Sequence, residues 1–391
     1  MDHRLEASRP WFRRTGVALA VALVSACLLA FAFFRTLVGT DPEPAATATA
    51  AAGTARIDTS PEFVGSARCA SCHADIAGKW KDSHHALAMQ HATAASVLGD
   101  FDNASLEHDG ITSRFSRDGG RFLVTTEGGD GSMQTFEVSH AFGLDPLQQY
   151  LVTFPDGRLQ ALPFAWDARP QAEGGQRWYH LYAGQQVRAG DPLHWTGIEQ
   201  NWNWMCADCH TTRLERNYSP ADDTYATTWS ELGVGCEACH GPGSRHVAWA
   251  GQGGRGDRAD AGDAGLVVPL GQRRGATWVL SPGRTTASRV PAATGSQELA
   301  VCAQCHSLRT PMAAGMAHDG RFLETHDIAL LAAGQYYDDG QQRGEVYEVG
   351  SFLQSRMHAV GVTCSDCHDP HSATLRLPGN ATCTQCHSPQ A

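Results

Sequence analysis

Short helices and loops packed around covalently held prosthetic groups, with a small β-rich insert and one N-terminal transmembrane helix, form the fold class that the sequence predicts. Three observations carry it. Twelve of the 13 Cys fall into six C-x-x-C pairs, each followed at once by His. An apolar run spans residues 17–34. Between the first and second Cys-Cys-His motifs lie 132 residues in which short stretches of mixed apolar and polar residues alternate with Gly/Asp turns. The hydrophobic content of 42% excludes general disorder. A net charge of −11 argues against a sequence-independent nucleic-acid binder.

The Cys motifs decide the chemistry. They are Cys69/Cys72/His73, Cys206/Cys209/His210, Cys236/Cys239/His240, Cys302/Cys305/His306, Cys364/Cys367/His368 and Cys383/Cys386/His387. Two thiols three residues apart on one turn can each add to a vinyl group of one porphyrin. The adjacent imidazole then binds the iron as proximal ligand. Zinc or iron–sulfur sites have no use for a His directly after every pair, and disulfides do not explain the trio. The motifs therefore predict six covalently attached haem c groups. Cys27, inside the apolar run, stands apart.

The N-terminus sets the compartment. Residues 1–16 are a basic segment, 17–36 an anchor and 37–60 an Ala/Thr/Pro-rich linker. Arg4, Arg9, Arg13 and Arg14 precede the run and Arg35 alone follows it, which predicts a cytoplasmic N-terminus. The run is long enough to span a bilayer, and longer than the core of a cleaved signal peptide. A lipoprotein reading at Val24–Cys27 is weakened by the apolar residues that continue beyond it. A twin-arginine reading of Arg13-Arg14 would export the chain already folded, before haem attachment. A single-pass inner-membrane protein follows, with its haem domain, residues 61–391, in the periplasm.

The insert, about residues 105–170, reads as a β-meander. Its expected strands are 111–115, 121–126, 135–140, 149–154 and 159–165, separated by Asp118-Gly119-Gly120, Gly128-Gly129-Asp130-Gly131 and Pro155-Asp156-Gly157. Motifs two and three are 25 residues apart and the last two only 14, which predicts neighbouring haems. Residues 251–264 are Gly/Asp-rich and read as a loop. The first 40 residues hold five of the 30 basic and two of the 41 acidic residues, so the exported part is the more acidic. Partners with basic or neutral faces are expected, namely redox proteins or membrane quinol-linked enzymes.

Of 19 His, six are proximal and His3 is cytoplasmic, which leaves 12 for six distal positions. The candidates are His84, His85, His180, His194, His246, His326, His358 and His371; His108, His140 and His318 are weaker. His84 and His85 are expected on a helix containing Trp80, where adjacent side chains diverge by about 100° and only one can face a given iron. Met89 is an alternative ligand, although a packing role is the simpler reading. His371 lies too close to His368 for both to bind one iron, and His246 stands in the same relation to His240. Each would serve a neighbouring haem.

Phe63-Val64-Gly65-Ser66, Trp80 and Ser83-His84-His85 resemble the N-terminal signature of a group of multihaem cytochromes c that includes the tetrahaem electron acceptor of hydroxylamine oxidoreductase. Residues 145–150 (DPLQQY), 195–197 (WTG), 201–205 (NWNWM) and 239–244 (CHGPGS) are similar to a subgroup often fused to tetratricopeptide repeats. The resemblance covers roughly residues 61–390. It implies electron transfer outside the cytoplasm, with His84 or His85, His180, His194, His246, His326 and His371 as distal ligands. This chain stops four residues after His387, where similar proteins continue into further motifs and repeats. The last haem is thus the one expected to lack an internal distal ligand, with His358 or His371 nearest in sequence.

Two functions compete. One is an electron relay. The other is a multihaem reductase of a small nitrogen or sulfur oxyanion, with one five-coordinate haem. No C-x-x-C-K motif exists, and Lys79 and Lys81 are the only lysines. The relay is favoured.

Overall fold

The computed structural model describes residues 60–253, 264–271, 273, 275–293, 297–313, 321–329, 331–344 and 347–388. The predicted cytoplasmic segment, the anchor, all of the linker but residue 60, most of the Gly/Asp-rich loop, and His318 lie outside them. No helix among the described residues is long and apolar enough to cross a membrane.

The first motif begins on α1 (Ser66–Ala70) and is followed by α2 (Ala74–Trp80). The helix stops at Trp80 and does not reach His84 and His85, contrary to expectation. The Trp80 indole N–H donates to the Val234 carbonyl at 2.8 Å, and Val234 N–H donates to the His85 carbonyl at 2.8 Å. These two long-range bonds hold the segment after Trp80 against Val234, so tertiary contacts override local helix propensity.

An eight-stranded antiparallel sheet follows: β1 (Met89–His91), β2 (Ala104–His108), β3 (Ile111–Asp118), β4 (Arg121–Glu127), β5 (Met133–Phe142), β6 (Leu147–Thr153), β7 (Leu159–Asp167) and β8 (Arg177–His180). Strands β2 to β8 pair in sequence order as a meander, and β1 lies on β5. The insert is therefore larger than predicted, with three additional strands. Those three are short, three to five residues each, although β2 does alternate between half-buried and exposed positions. Bulges in β5 near Val138 and His140 and in β6 near Gln149 and Leu151 bend the sheet. Its ends meet where His108 of β2 stacks on His180 of β8.

Aromatic rings fill the curl. Phe101 meets Phe115, Phe122, Tyr150 and Trp178 edge-on at centroid separations of 5.9, 5.1, 5.5 and 5.4 Å, the geometry that ring quadrupoles favour. Strand β7 is buried along its whole length. Its Leu162, Phe164 and Trp166 face this core, while Leu159 and Ala161 face a second cluster with Trp202, Ala207 and Leu214. It is the wall between the sheet and the second motif.

Several resemblance residues are the bolts of this wall. Tyr150 hydroxyl accepts from Gly99 N–H (2.9 Å) and donates to Gln148 Oε1 (2.8 Å). The Gln160 amide donates to the carbonyls of Trp195 and Gly197 (2.9 and 2.8 Å). Asn203 accepts from Leu159 N–H at 2.7 Å and donates to Thr227 Oγ1 at 2.8 Å. Gly99 has no room for a side chain: a Cβ there would lie 2.6 Å from the Trp178 ring. Gly99→Ala is expected to destabilise the protein by about 1–3 kcal/mol through overpacking. Chemical denaturation would measure this, and an unchanged midpoint would contradict it.

His140 is 8% exposed and its Nε2 has no hydrogen-bond partner. Burial, aided by neighbouring His91, pushes its pKa down to about 4. The folded state therefore binds fewer protons here than the unfolded state, whose ordinary value is about 6.5. Stability should be complete above that value and fall as pH drops toward 4. His140→Phe should flatten this limb of the pH–stability curve; an unaltered curve would refute the assignment.

The rest is short helices and two-stranded ribbons. The helices are α3 (Trp202–Met205), α4 (Ala207–His210), α5 (Cys236–His240), α6 (Ser244–Gly251), α7 (Gln297–His306), α8 (Phe322–Thr325), α9 (Val349–Leu353), α10 (Arg356–Ala359), α11 (Cys364–Cys367) and α12 (Ala381–Thr384). Each Cys motif begins on or beside one of them.

Candidate metal centres

The twelve motif thiols are free, and α5 shows how the spacing is used: Cys236, Cys239 and His240 share one short helix. In the first, second and sixth motifs the two thiols do not share a helix. Helix α1 ends at Ala70, so Cys69 lies on it while Cys72 stands in the turn beyond. Cys72 and His73 N–H both donate to the Cys69 carbonyl, at 3.1 and 2.9 Å, which keeps the three-residue spacing as a turn. Cys72 is exposed, because Cys69 is the thiol of this motif that packs against another motif. Its sulfur accepts from the neighbouring Ser71 hydroxyl at 3.8 Å. In the sixth motif Cys383 lies on α12 and is likewise exposed, whereas Cys386 follows the helix and is partly covered. Both exposed thiols are open to a group approaching from outside.

Among the described residues, no three His, Cys, Asp or Glu side chains converge as a metal-binding group, so the motifs do not combine into tetrahedral sites. The imidazoles form pairs instead. His246 on α6 stacks opposite His73, with ring centres 6.0 Å apart and planes inclined by 23°. His371 stacks opposite His240 at 6.4 Å and 11°. His85 faces His306 at 6.3 Å and 73°. A metal bound on both faces through imidazole bonds of about 2 Å sets the two ring centres about 6 Å apart. The centre-to-centre separations of these three pairs match that spacing. Hydrogen bonds fix the tautomers. The Nδ1 atoms of His246 and His85 lie 2.8 and 3.0 Å from the carbonyls of Ala264 and Pro370. Proximal His210 does the same with the Ala88 carbonyl at 2.8 Å. An Nδ1–H given to a carbonyl leaves Nε2 as the metal-binding lone pair. Burial lowers the pKa values of His85, His210 and His240, which favours the neutral ring that ligation needs.

The other candidates stand elsewhere. His84 is exposed. His180 stacks on His108 at 3.7 Å, too close for a metal between them. His194 is buried with Nδ1 2.8 Å from Thr196 Oγ1 and Nε2 3.8 Å from Glu127. His326 is buried against Phe322, with Nδ1 2.9 Å from Thr325 Oγ1. His358 lies beside Phe352 and lines a cavity of about 320 Å³ with Leu299 and Thr363. Met89 is buried in the core. Among the described residues no second imidazole faces His210, His368 or His387 as in the three pairs.

Contacts between motifs do not simply follow sequence spacing. Cys69 meets Cys236, Cys209 meets Cys305, and Cys302 meets Cys364, which joins motif one to three, two to four, and four to five. The sixth motif leans on the fifth, with Gln385 donating to the Asp366 carbonyl at 3.1 Å.

Buried and half-buried carboxylates hold these junctions, and the sequence reading missed them. Glu237 accepts from Val64, Gly65 and Gly243 N–H at 2.8, 2.7 and 2.7 Å. Glu231 accepts from Ser66 N–H and its hydroxyl at 2.9 and 2.8 Å. Glu298 accepts from Ser365 N–H and its hydroxyl at 2.6 and 2.8 Å. Asp208 pairs with Arg216 at 2.6 Å and Arg309 at 3.8 Å. An acidic residue between the cysteines of motifs two, three and five was the available signal.

Paired imidazoles at iron-spanning distance, beside attachment motifs carried on short helices, define a multihaem c-type cytochrome with covalently bound haem c. Residues 68–108 and 176–241 match the family described as cytochrome c554 and c-prime, and residues 358–391 match the doubled CXXCH motif. No curated protein matches the chain. Solved structures similar to it include the outer cell wall cytochrome OcwA (17% identity, TM-score 0.48, 84% of this chain and 68% of that one). The undecahaem cytochrome from the S-layer of Carboxydothermus ferrireducens shows 17% identity and a TM-score of 0.37, over 85% of this chain and 43% of that one. The octahaem sulfite reductase MccA of Wolinella succinogenes shows 16% identity and a TM-score of 0.33, over 80% and 44%. The chain thus spans under half of the latter two.

Proposed function

We propose that this chain is a membrane-anchored periplasmic hexahaem cytochrome that relays electrons between redox partners. The observation that carries the reading is the set of three facing imidazole pairs, which leave an iron no vacant position. Haem c supplies reversible one-electron transfer, and its potential is set by axial ligands and surroundings. The chain's own residues do the rest. His73/His246, His240/His371 and His306/His85 would hold the iron, and the Cys–Cys contacts bring attachment sites together. Residues 17–36 anchor the domain, and its acidic surface favours basic faces on redox proteins or quinol-linked enzymes.

A reductase of a small nitrogen or sulfur oxyanion is the second reading, favoured by His210, His368 and His387, which no second imidazole among the described residues faces. Mass spectrometry of the matured protein should show six haem additions, with the protein in the inner-membrane fraction. Three or fewer haems, or a soluble species beginning near residue 40, would overturn the corresponding part. Reoxidation of the reduced protein by a partner cytochrome but not by nitrite or sulfite is expected; steady turnover of either anion would favour the reductase.

A further inference from the structure

Resting on the haem-binding reading, we propose that Glu237 is a built-in negative charge that makes the haem pair of the first and third motifs the low-potential end of the relay. Glu237 occupies the position directly after Cys236 and is 1% exposed. Its two oxygens receive N–H groups from Val64 and Gly65, which lead into the first motif, and from Gly243, which follows the third. All of these partners are donors, and the two oxygens accept every one of them. No cationic side chain pairs with it among the described residues. Glu231 adds a second carboxylate at the same junction through Ser66, and the charge of both reaches Cys69.

The other motifs are built differently. Asp208, between the cysteines of the second, is paired with Arg216 and Arg309. Asp366, in the fifth, has Arg273 at 3.5 Å and the Trp278 indole N–H at 3.0 Å. Motifs one, four and six have no acid between their cysteines. Two carboxylates thus stand where Cys69 meets Cys236, against Glu298 alone beside the contact of Cys302 with Cys364. A buried anion stabilises the more positive, oxidised iron, and the effect is stronger where water is excluded. Electrons would therefore leave this pair for the rest of the chain.

The test is a spectroelectrochemical titration of the full-length holoprotein, after its haem count is established. A wild type without haem sinks the haem-binding reading rather than this assignment. In Glu237→Gln the lowest-potential transition should move upward while the others stay, with low-spin signatures kept. Asp208→Asn, which removes an already neutralised charge, should move its transition less. If Glu237→Gln loses haem because Gln cannot accept all the N–H groups, Glu231→Gln should give a smaller upward shift of the same transition. A fully loaded Glu237→Gln with unchanged potentials, or Glu231→Gln with none where the first variant fails, would overturn the proposal.

Discussion

Carbon monoxide added to the fully reduced protein is expected to bind at no more than three irons, those served by His210, His368 and His387. The reason is geometric. His246, His371 and His85 stand across from His73, His240 and His306 at 6.0, 6.4 and 6.3 Å, and an iron ligated on both faces has no site for a diatomic probe. The sequence alone placed the exception at His387; the structure adds His210 and His368. His371→Ala should open the iron of His240 and add one equivalent of binding, and His246→Ala should do so for His73. His180→Ala and His194→Ala should add none, since those rings engage His108 and Thr196. Following the Soret band during titration decides the matter. Four or more equivalents in the wild type, or no gain in His371→Ala, would contradict the assigned pairs.

What the sequence disclosed and what it hid divide along a physical line. The attachment motifs and the central strands β3 to β7 were legible because each is a local pattern: a fixed spacing, or alternation between Gly/Asp turns. His246 and His371 could be flagged as serving neighbouring haems because the chain between them and the nearest proximal His is too short to wrap a porphyrin. Other features are products of distance along the chain. The choice of His85 over His84 depends on the long-range bonds that hold the segment after Trp80 against Val234. The order in which motifs meet depends on contacts such as Cys69 with Cys236, and the same contact decides that Cys72, not Cys69, is left exposed. Glu237 looks like a spacer residue until the backbone at Val64 and Gly65 is placed against it. No periodicity records a partner some 170 residues away.

Replacing Arg216 by Met is expected to cost about 3 kcal/mol, because it strands a carboxylate that the fold has removed from water. Asp208 and Arg216 each keep only 13% of their side-chain exposure and meet at 2.6 Å. The guanidinium also donates to the Asn203 carbonyl at 3.1 Å and lies over the Trp204 ring at 4.7 Å, so it joins the segment before the second motif to the motif itself. Arg309, 3.8 Å from the same carboxylate, remains to share the charge and keeps the loss from being larger. Arg216→Lys should recover only part, since an ammonium cannot stack on Trp204 while bonding in two directions. Pairing Arg216→Met with Asp208→Asn should cost less than the sum of the single changes, since the second removes the charge that the first leaves unpaired. Chemical denaturation of the four proteins measures the coupling. Additive losses, or a loss in Arg216→Met below about 0.5 kcal/mol, the range of ordinary surface substitutions, would show that Arg309 alone neutralises Asp208.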